Sequence, residues 1–370
     1  MTEGSMWRKW DLHVHSPESH THEFRFQSGE AEKYSGDIWE KYVEAIERSS
    51  DVPVVGITDY FSIDGYEKIL EYKHAGRLDN IALILPNIEF RLDKFLSSKS
   101  DTSAKRLNYH VIFSDELSPE KIRTEFLQEI HIETETGEKR TLNRGNIQEI
   151  GANLKEQHEP FRGRDDYYVG CMNVFVSLDE IRKILFEKVT VFEGKYLLVL
   201  ADEYWSQASW DGQDHLIRKT LLRKSNAIFG ANPRTRDWAL GMSDEYENPA
   251  AFIEEFGSLF PCLHGSDAHS FDTLFRPDLD RYCWIKADTT FEGLKQTVFE
   301  PEARVRIQQD NPEPWKTIFT IDAFEIENSD VGGDLTIKEE SVEFNWNLVA
   351  VTGGKREWQD GSSRSDCELL

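Results

Sequence analysis

The chain has 370 residues, 39% of them hydrophobic, and a formal net charge of -25. So acidic a molecule repels a phosphate backbone at long range, and any nucleic-acid contact has to be local, ion-bridged or supplied by a partner. Four widely spaced cysteines (Cys171, Cys262, Cys283, Cys367) exclude a disulfide framework, and the absence of a membrane-length apolar run or a signal-peptide core points to the cytoplasm, with no membrane partner.

Residues 10–16, Trp-Asp-Leu-His-Val-His-Ser, alternate apolar and polar side chains and read as a strand. Its period of two puts His13 and His15 on one face. A polar loop, 16–26, carries His20 and His22, and residues 38–48 place Ile38, Trp39, Tyr42, Val43 and Ile46 at helical spacing. A strand over 52–60, a helix over 65–73, a strand over 81–90 finishing at Glu89 and a short strand over 109–113 with His110 follow. Alternating strands and helices with apolar strands are the signature of a parallel α/β sheet or barrel. Residues 118–175 read as an insertion. The alternation resumes with a helix over 178–186 and a strand over 196–201 that runs into Asp202. A helix over 215–224, a strand over 227–232, a helix over 250–256 and a strand over 262–264 lead into Gly265-Ser266-Asp267-Ala268-His269, and a helix over 291–299 closes the unit.

Ligand-type side chains fall where these strands end: His13 and His15, Asp59, Glu89, His110, Asp202, Asp267 and His269. Parallel α/β folds gather functional groups at that end of the sheet. Each residue alone has a plain structural explanation: Asp59 can cap a helix, Glu89 can face solvent, His110 can be a hydrogen-bonded core residue. Their joint placement is harder to explain that way. Imidazoles and carboxylates without paired cysteines favour zinc, manganese or iron in a hydrolytic site over a structural zinc. Two or three such ions hold a phosphate and stabilise charge on a leaving oxygen.

The motifs Asp11-Leu12-His13-Val14-His15-Ser16, Ile57-Thr58-Asp59, Asn87-Ile88-Glu89, His110 and Gly265-Ser266-Asp267-Ala268-His269, in this order, resemble the polymerase-and-histidinol-phosphatase (PHP) superfamily over residues 8–306. The resemblance implies a distorted (β/α)7 barrel with a site for up to three divalent ions, hydrolysing phosphoesters. His13, His15, Glu89 and Asp267 would form its catalytic heart, and His110 and His269 would be further ligands. The family's next donor after the His-x-His pair matches His20, with His22 as the fallback, and the one ending a middle strand matches Asp202. The family usually has histidine directly after Thr-Asp, where this chain has Tyr60, so a third ion loses a ligand or takes a phenolate. Arg234 and Arg236, after Asn232, are candidates to pair with substrate phosphate, against the plainer reading of solvated loop residues.

Residues 314–355 read as a second domain, the short β-rich start of an ABC/SMC-like ATPase head. Strands are expected over 315–326, 335–337 and 342–344, and the apolar run 347–352 breaks into Gly353-Gly354-Lys355. A P-loop begins this way, but G-x-x-x-x-G-K-[ST] is never completed, so no ATP hydrolysis is expected of this chain. Residues 356–370 lack periodicity and read as a disordered tail. One base out of frame, the codons for Arg356-Glu357-Trp358-Gln359-Asp360 and Gly361 permit Gly-Asn-Gly-Lys-Thr, which would complete the P-loop from Gly353. The chain therefore reads as the front of a longer protein cut short by a frameshift, with the missing ATPase portion as its natural partner. PHP domains ahead of such ATPases are a recognisable arrangement, some of it in DNA repair or anti-phage defence. The resemblance thus implies a nuclease or phosphodiesterase acting on nucleic acid. A small-molecule phosphatase and a catalytically silent, metal-stabilised scaffold are the alternatives, and an oligomer is open.

Overall fold

The computed structural model describes residues 6–49, 51–96, 105–134, 136–202 and 215–313, and four short strands between residues 323 and 343. Residues 8–312 form one compact unit, and the described strands between residues 323 and 343 belong to a second.

The first unit begins with β1 (Trp7–His15), α1 (Ile38–Glu47), β2 (Val54–Tyr60), α2 (Asp64–His74), β3 (Leu83–Leu96) and β4 (Lys105–Phe113). The predicted insertion holds α3 (Pro119–Glu125), the hairpin β5 (His131–Glu133) and β6 (Lys139–Thr141), α4 (Arg144–Gln157) and α5 (Asp166–Asn173). Next come α6 (Leu178–Glu187), α7 (Val189–Phe192), β7 (Tyr196–Ala201), α8 (His215–Arg223), β8 (Ala227–Phe229), α9 (Pro233–Ala239) and α10 (Pro249–Phe256). The unit ends with β9 (Cys262–Leu263), β10 (Tyr282–Lys286), α11 (Phe291–Phe299), α12 (Pro301–Arg304) and β11 (Val305–Gln308). Short polar side chains start many of these helices: Asp37, Ser118, Asn143, Asp165, Asn232, Asn248 and Thr290 each accept a backbone N–H of the first turn. Helices α4 and α5 touch backbone to backbone, since a Cβ on Gly170 would lie 2.0 Å from the Ile147 carbonyl oxygen.

Nine strands form one sheet in the order β11-β10-β1-β2-β3-β4-β7-β8-β9. The edge strands β9 and β11 approach each other, and Val14 bridges Ala268, so the sheet nearly closes into a barrel. Two expectations are corrected here. The sheet is not wholly parallel, because β4 runs antiparallel to both β3 and β7. Only the positions between Leu96 and Lys105 separate β3 from β4, too few for the crossover of a dozen or more residues that a parallel return needs. Nor does the sheet have seven strands: β10 and β11 add an antiparallel pair beside β1. The Tyr-Cys-Trp-Ile-Lys run of β10 is a strand in which Cys283 and Ile285 are buried.

Trp10, Leu12, Val54, Leu83, Leu85, Ile112, Val199, Phe229 and Leu263 pack together as an apolar floor inside the curved sheet. The larger core lies between the sheet's outer face and the helices. Cys171, Cys262 and Cys283 are buried and unpaired. Among the described residues no helix is long and apolar enough to cross a membrane.

In the second unit β12 (Ala323–Ile326) pairs with β15 (Glu340–Glu343), and β13 (Ser329–Asp330) with β14 (Thr336–Ile337), both antiparallel. The run 347–352, the glycines before Lys355 and the tail 356–370 lie outside the described residues.

Candidate metal centre

The site begins with an irregularity in β1. Asp11 pairs with Val55 and Val14 with Ile57, so β1 carries one residue more than β2 over this span. Such a bulge shifts the phase of the strand by one. Trp10 and Leu12 join the apolar floor before it, and His13 and His15 turn into the same interior after it. On β3, the alternation that buries Leu83 and Leu85 carries on through Asn87 to Glu89. Glu89 pairs directly with His110 on β4, and cross-strand partners share a face. Both residues lie within their strands rather than at the ends where the sequence placed them, because β3 continues to Leu96 and β4 is reversed.

These side chains converge. The Nε2 atom of His13 lies 3.2 Å from His15 Nε2, 3.3 Å from Glu89 Oε2 and 3.2 Å from Asp267 Oδ1. His15 Nε2 is 3.4 Å from both carboxylates. Two overlapping donor sets result, His13-Glu89-His110 and His13-His15-Asp267, each with its ligand atoms within 4.8 Å of one another.

Burial alone would strip charge from these groups, and it does lower the His110 imidazole to about 3, but His13, His15, Glu89 and Asp267 hold each other ionised. It lowers His15, yet hydrogen bonds and charges from Asp267 and Glu89 outweigh it and lift the imidazole to about 10. His13 is raised in the same way, burial being overcome by Asp267 and Glu89. Burial pushes the Glu89 carboxyl up, but His110, His13 and His15 hold it well below the ordinary carboxylate value. Asp267 is likewise drawn down to about 2, chiefly by His13 and His15 against burial. The cluster attracts positive charge to one point, which suits a divalent cation.

Unspent hydrogen-bonding capacity supports the same fit. Glu89 Oε1 and His110 Nε2 are buried without a hydrogen-bond partner, a costly condition unless something else binds them. Asn87 fixes the orientation of His110: its amide Nδ2 donates to Leu12 O and Thr58 Oγ1 at 2.9 Å, which leaves its Oδ1 to accept from His110 Nδ1 at 3.3 Å. The lone pair on His110 Nε2 is then free for a cation. Ser19 Oγ engages His15 Nδ1 at 3.2 Å, leaving His15 Nε2 for the cluster.

The remaining donors stand on loops. After β9, Asp11 Oδ1 accepts from Ser266 N at 2.9 Å and from His13 N at 3.3 Å, and His15 N donates to Ala268 O at 3.0 Å. Gly265 makes this approach feasible, since a Cβ there would lie 2.5 Å from His13 N. Asp267 adopts a left-handed backbone at φ 49, strain of the kind that collects at functional sites. His269 lies with its ring 4.0 Å from that of His15, and its Nδ1 donates to Asp267 O at 2.8 Å, but it belongs to neither donor set. His20 packs edge-on against Tyr60 at 4.5 Å, and Tyr60 stacks on His15 at 5.1 Å. Both ring nitrogens of His20 are buried without a hydrogen-bond partner, as is Nδ1 of His22, whose ring stacks on that of Phe24. Asp59 accepts from Ser16 N and Oγ and anchors the loop after β1.

Asp202 lines a cavity of about 160 Å³ together with His13, His110, His264 and Asp267. Burial raises its carboxyl to about 7, moderated by a hydrogen bond from Thr235 and by Arg218. Arg234 opens onto a neighbouring groove of about 790 Å³, which Asn232 and Thr235 also line. Arg236 lines neither space and acts electrostatically on Cys262 and Arg306. Three contributors escaped the sequence reading as site residues: Asn87, Asp11 and His264. Asn87 and Asp11 stand two positions before recognised donors, a spacing that signals a shared face on a regular strand.

No protein-family model matches the chain, and no curated protein does. Solved structures that resemble it include a presumed metal-dependent phosphoesterase from Bifidobacterium adolescentis, 12% identical, covering 71% of this chain and 88% of that one with a TM-score of 0.30. The donor geometry, not that likeness, carries the chemistry that follows.

Proposed function

We propose that the chain is a metal-dependent phosphoesterase that hydrolyses phosphodiester bonds through two ions, a third being handicapped by Tyr60. The carrying observation is the meeting of His13, His15, Glu89 and Asp267 at 3.2 to 3.4 Å, beside the unsatisfied Glu89 Oε1 and His110 Nε2. His13, His15, Glu89 and Asp267 would hold one ion, and Glu89 with His110 the other. Divalent ions bound there supply Lewis-acid stabilisation of charge on phosphoryl oxygens and ease deprotonation of water. Asn87 and Ser19 hold the imidazoles of His110 and His15 in the orientation that binding requires. Asp267, whose side chain is 60% exposed, is the donor that meets incoming substrate at the rim.

The groove of about 790 Å³ with Arg234 at its edge offers room for the second substituent of a diester. Nucleic acid as substrate, a role in DNA repair or phage defence, and fusion to an ATPase go with the PHP resemblance. The coding DNA beyond codon 355 tests the fusion. A phosphomonoesterase is the second reading, favoured by the small inner cavity of about 160 Å³ and the charge of -25. Manganese-loaded protein incubated with single-stranded DNA, RNA, bis(p-nitrophenyl) phosphate and a panel of sugar and nucleotide monophosphates separates them. Cleavage of diesters that vanishes in His13→Ala is the expected result. Turnover of monoesters alone selects the second reading, and no turnover of any of them leaves a silent scaffold.

A further inference from the structure

His264 follows β9 directly and lines the cavity of about 160 Å³ with His13, His110, Asp202 and Asp267. Its Nε2 is buried and has no hydrogen-bond partner. It belongs to neither donor set, although it lines the same cavity as three of their members, His13, His110 and Asp267. Much of the remaining lining is apolar or backbone: Ala201, Phe229, Gly230 and Ala231. Asp202 is engaged by Thr235, and as a carboxylate it would repel an anion. At roughly 30 Å³ per water, the cavity takes about five waters, or one phosphoryl group with its oxygens. Burial holds the His264 imidazole down at about 4, so it is neutral at pH 7 and able to present an N–H at Nε2.

We propose that His264 is a substrate-binding residue whose Nε2 donates a hydrogen bond to a phosphoryl oxygen of the substrate. The proposal rests on the phosphoesterase reading and adds to it a contact made by the protein rather than by an ion. Donation from a buried group to a charged oxygen orients the phosphoryl group within the cavity, and an anion satisfies the stranded nitrogen.

The test uses the full chain loaded with manganese and inorganic phosphate as the probe, followed by calorimetric titration. His264→Leu and His264→Asn are compared because the two side chains are similar in size and only asparagine keeps a donor. The expected result is phosphate affinity at least tenfold weaker in His264→Leu and within about threefold of wild type in His264→Asn, about 1.4 kcal/mol per tenfold. Bound manganese by plasma mass spectrometry and melting temperature should match wild type in both. Equal phosphate affinity in wild type and His264→Leu overturns the proposal, as does equal loss in both variants. A drop in bound manganese in His264→Leu also overturns it, because His264 would then be an ion ligand. Failure of the loaded wild-type chain to bind phosphate overturns the phosphoesterase reading itself, and this proposal with it.

Discussion

The site has two walls built on different principles. His13, His15, Glu89 and His110 stand on strands, and the side chains of His15 and Glu89 are 0% and 1% exposed. Asp267 and His269 stand on the loop after β9, where the Asp267 side chain is 60% exposed. Strand donors take their positions from ladder register, which the whole barrel enforces through its apolar floor. Loop donors take theirs from a few hydrogen bonds centred on Asp11 and His15 N. On the proposed reading the strand wall would therefore define where cations sit, and the loop wall would complete and expose the site.

The sharpest way to break this contrast is to neutralise one carboxylate on each wall. Glu89→Gln should reduce kcat/KM on bis(p-nitrophenyl) phosphate by at least about a thousandfold and empty the site of metal, since it removes the buried charge that would hold the ions in the proposed site. Asp267→Asn should lose activity but retain most of the metal. Equal metal loss in the two variants would erase the distinction between the walls. A smaller effect is expected one layer back, where Asn87→Leu should weaken manganese binding by about 10- to 100-fold in calorimetry without changing the number of ions bound at saturation.

On the loop wall, Gly265→Ala would drive a Cβ to 2.5 Å from His13 N and 2.6 Å from Asp11 Oδ1. The clash should cost about 1–3 kcal/mol, read as a lower melting temperature, with activity falling further than metal content. The mildest expectation concerns Tyr60. Tyr60→His would add an imidazole beside His20, whose two ring nitrogens are unsatisfied, and near His15. Metal analysis should then find one more ion per chain with little change in stability, and an unchanged count would mean that His20 is a packing residue.

Much of the chain was legible wherever a local pattern governs. The strand over 196–201 and the helix over 291–299 emerge with the predicted bounds, and the shared face of His13 and His15 follows from period two. The bulge that turns this face inward was not legible, because it depends on pairing with β2 rather than on residue types within β1. The reversal of β4 was hidden for a similar reason: a strand does not record its direction, and the clue lay in the short connection from β3. His264 escaped because a histidine in a short apolar run looks like a core residue until the cavity beside it is known. Arg236 shares α9 with Arg234 but lines neither the cavity nor the groove, since two positions on a helix do not share a face.

The hydrogen bond from Ser266 N to Asp11 Oδ1 joins residues 255 positions apart, and this has a consequence for biosynthesis. At about 5–20 residues per second, a ribosome needs roughly 13–50 s between making the two ends of that bond. Through this interval β1 has emerged with its histidine pair, but the loop that completes the cage does not yet exist. If the cage binds metal as proposed, a nascent chain would therefore offer early ions only a partial, loosely gripping site, and selection among competing cations would be completed only late in translation.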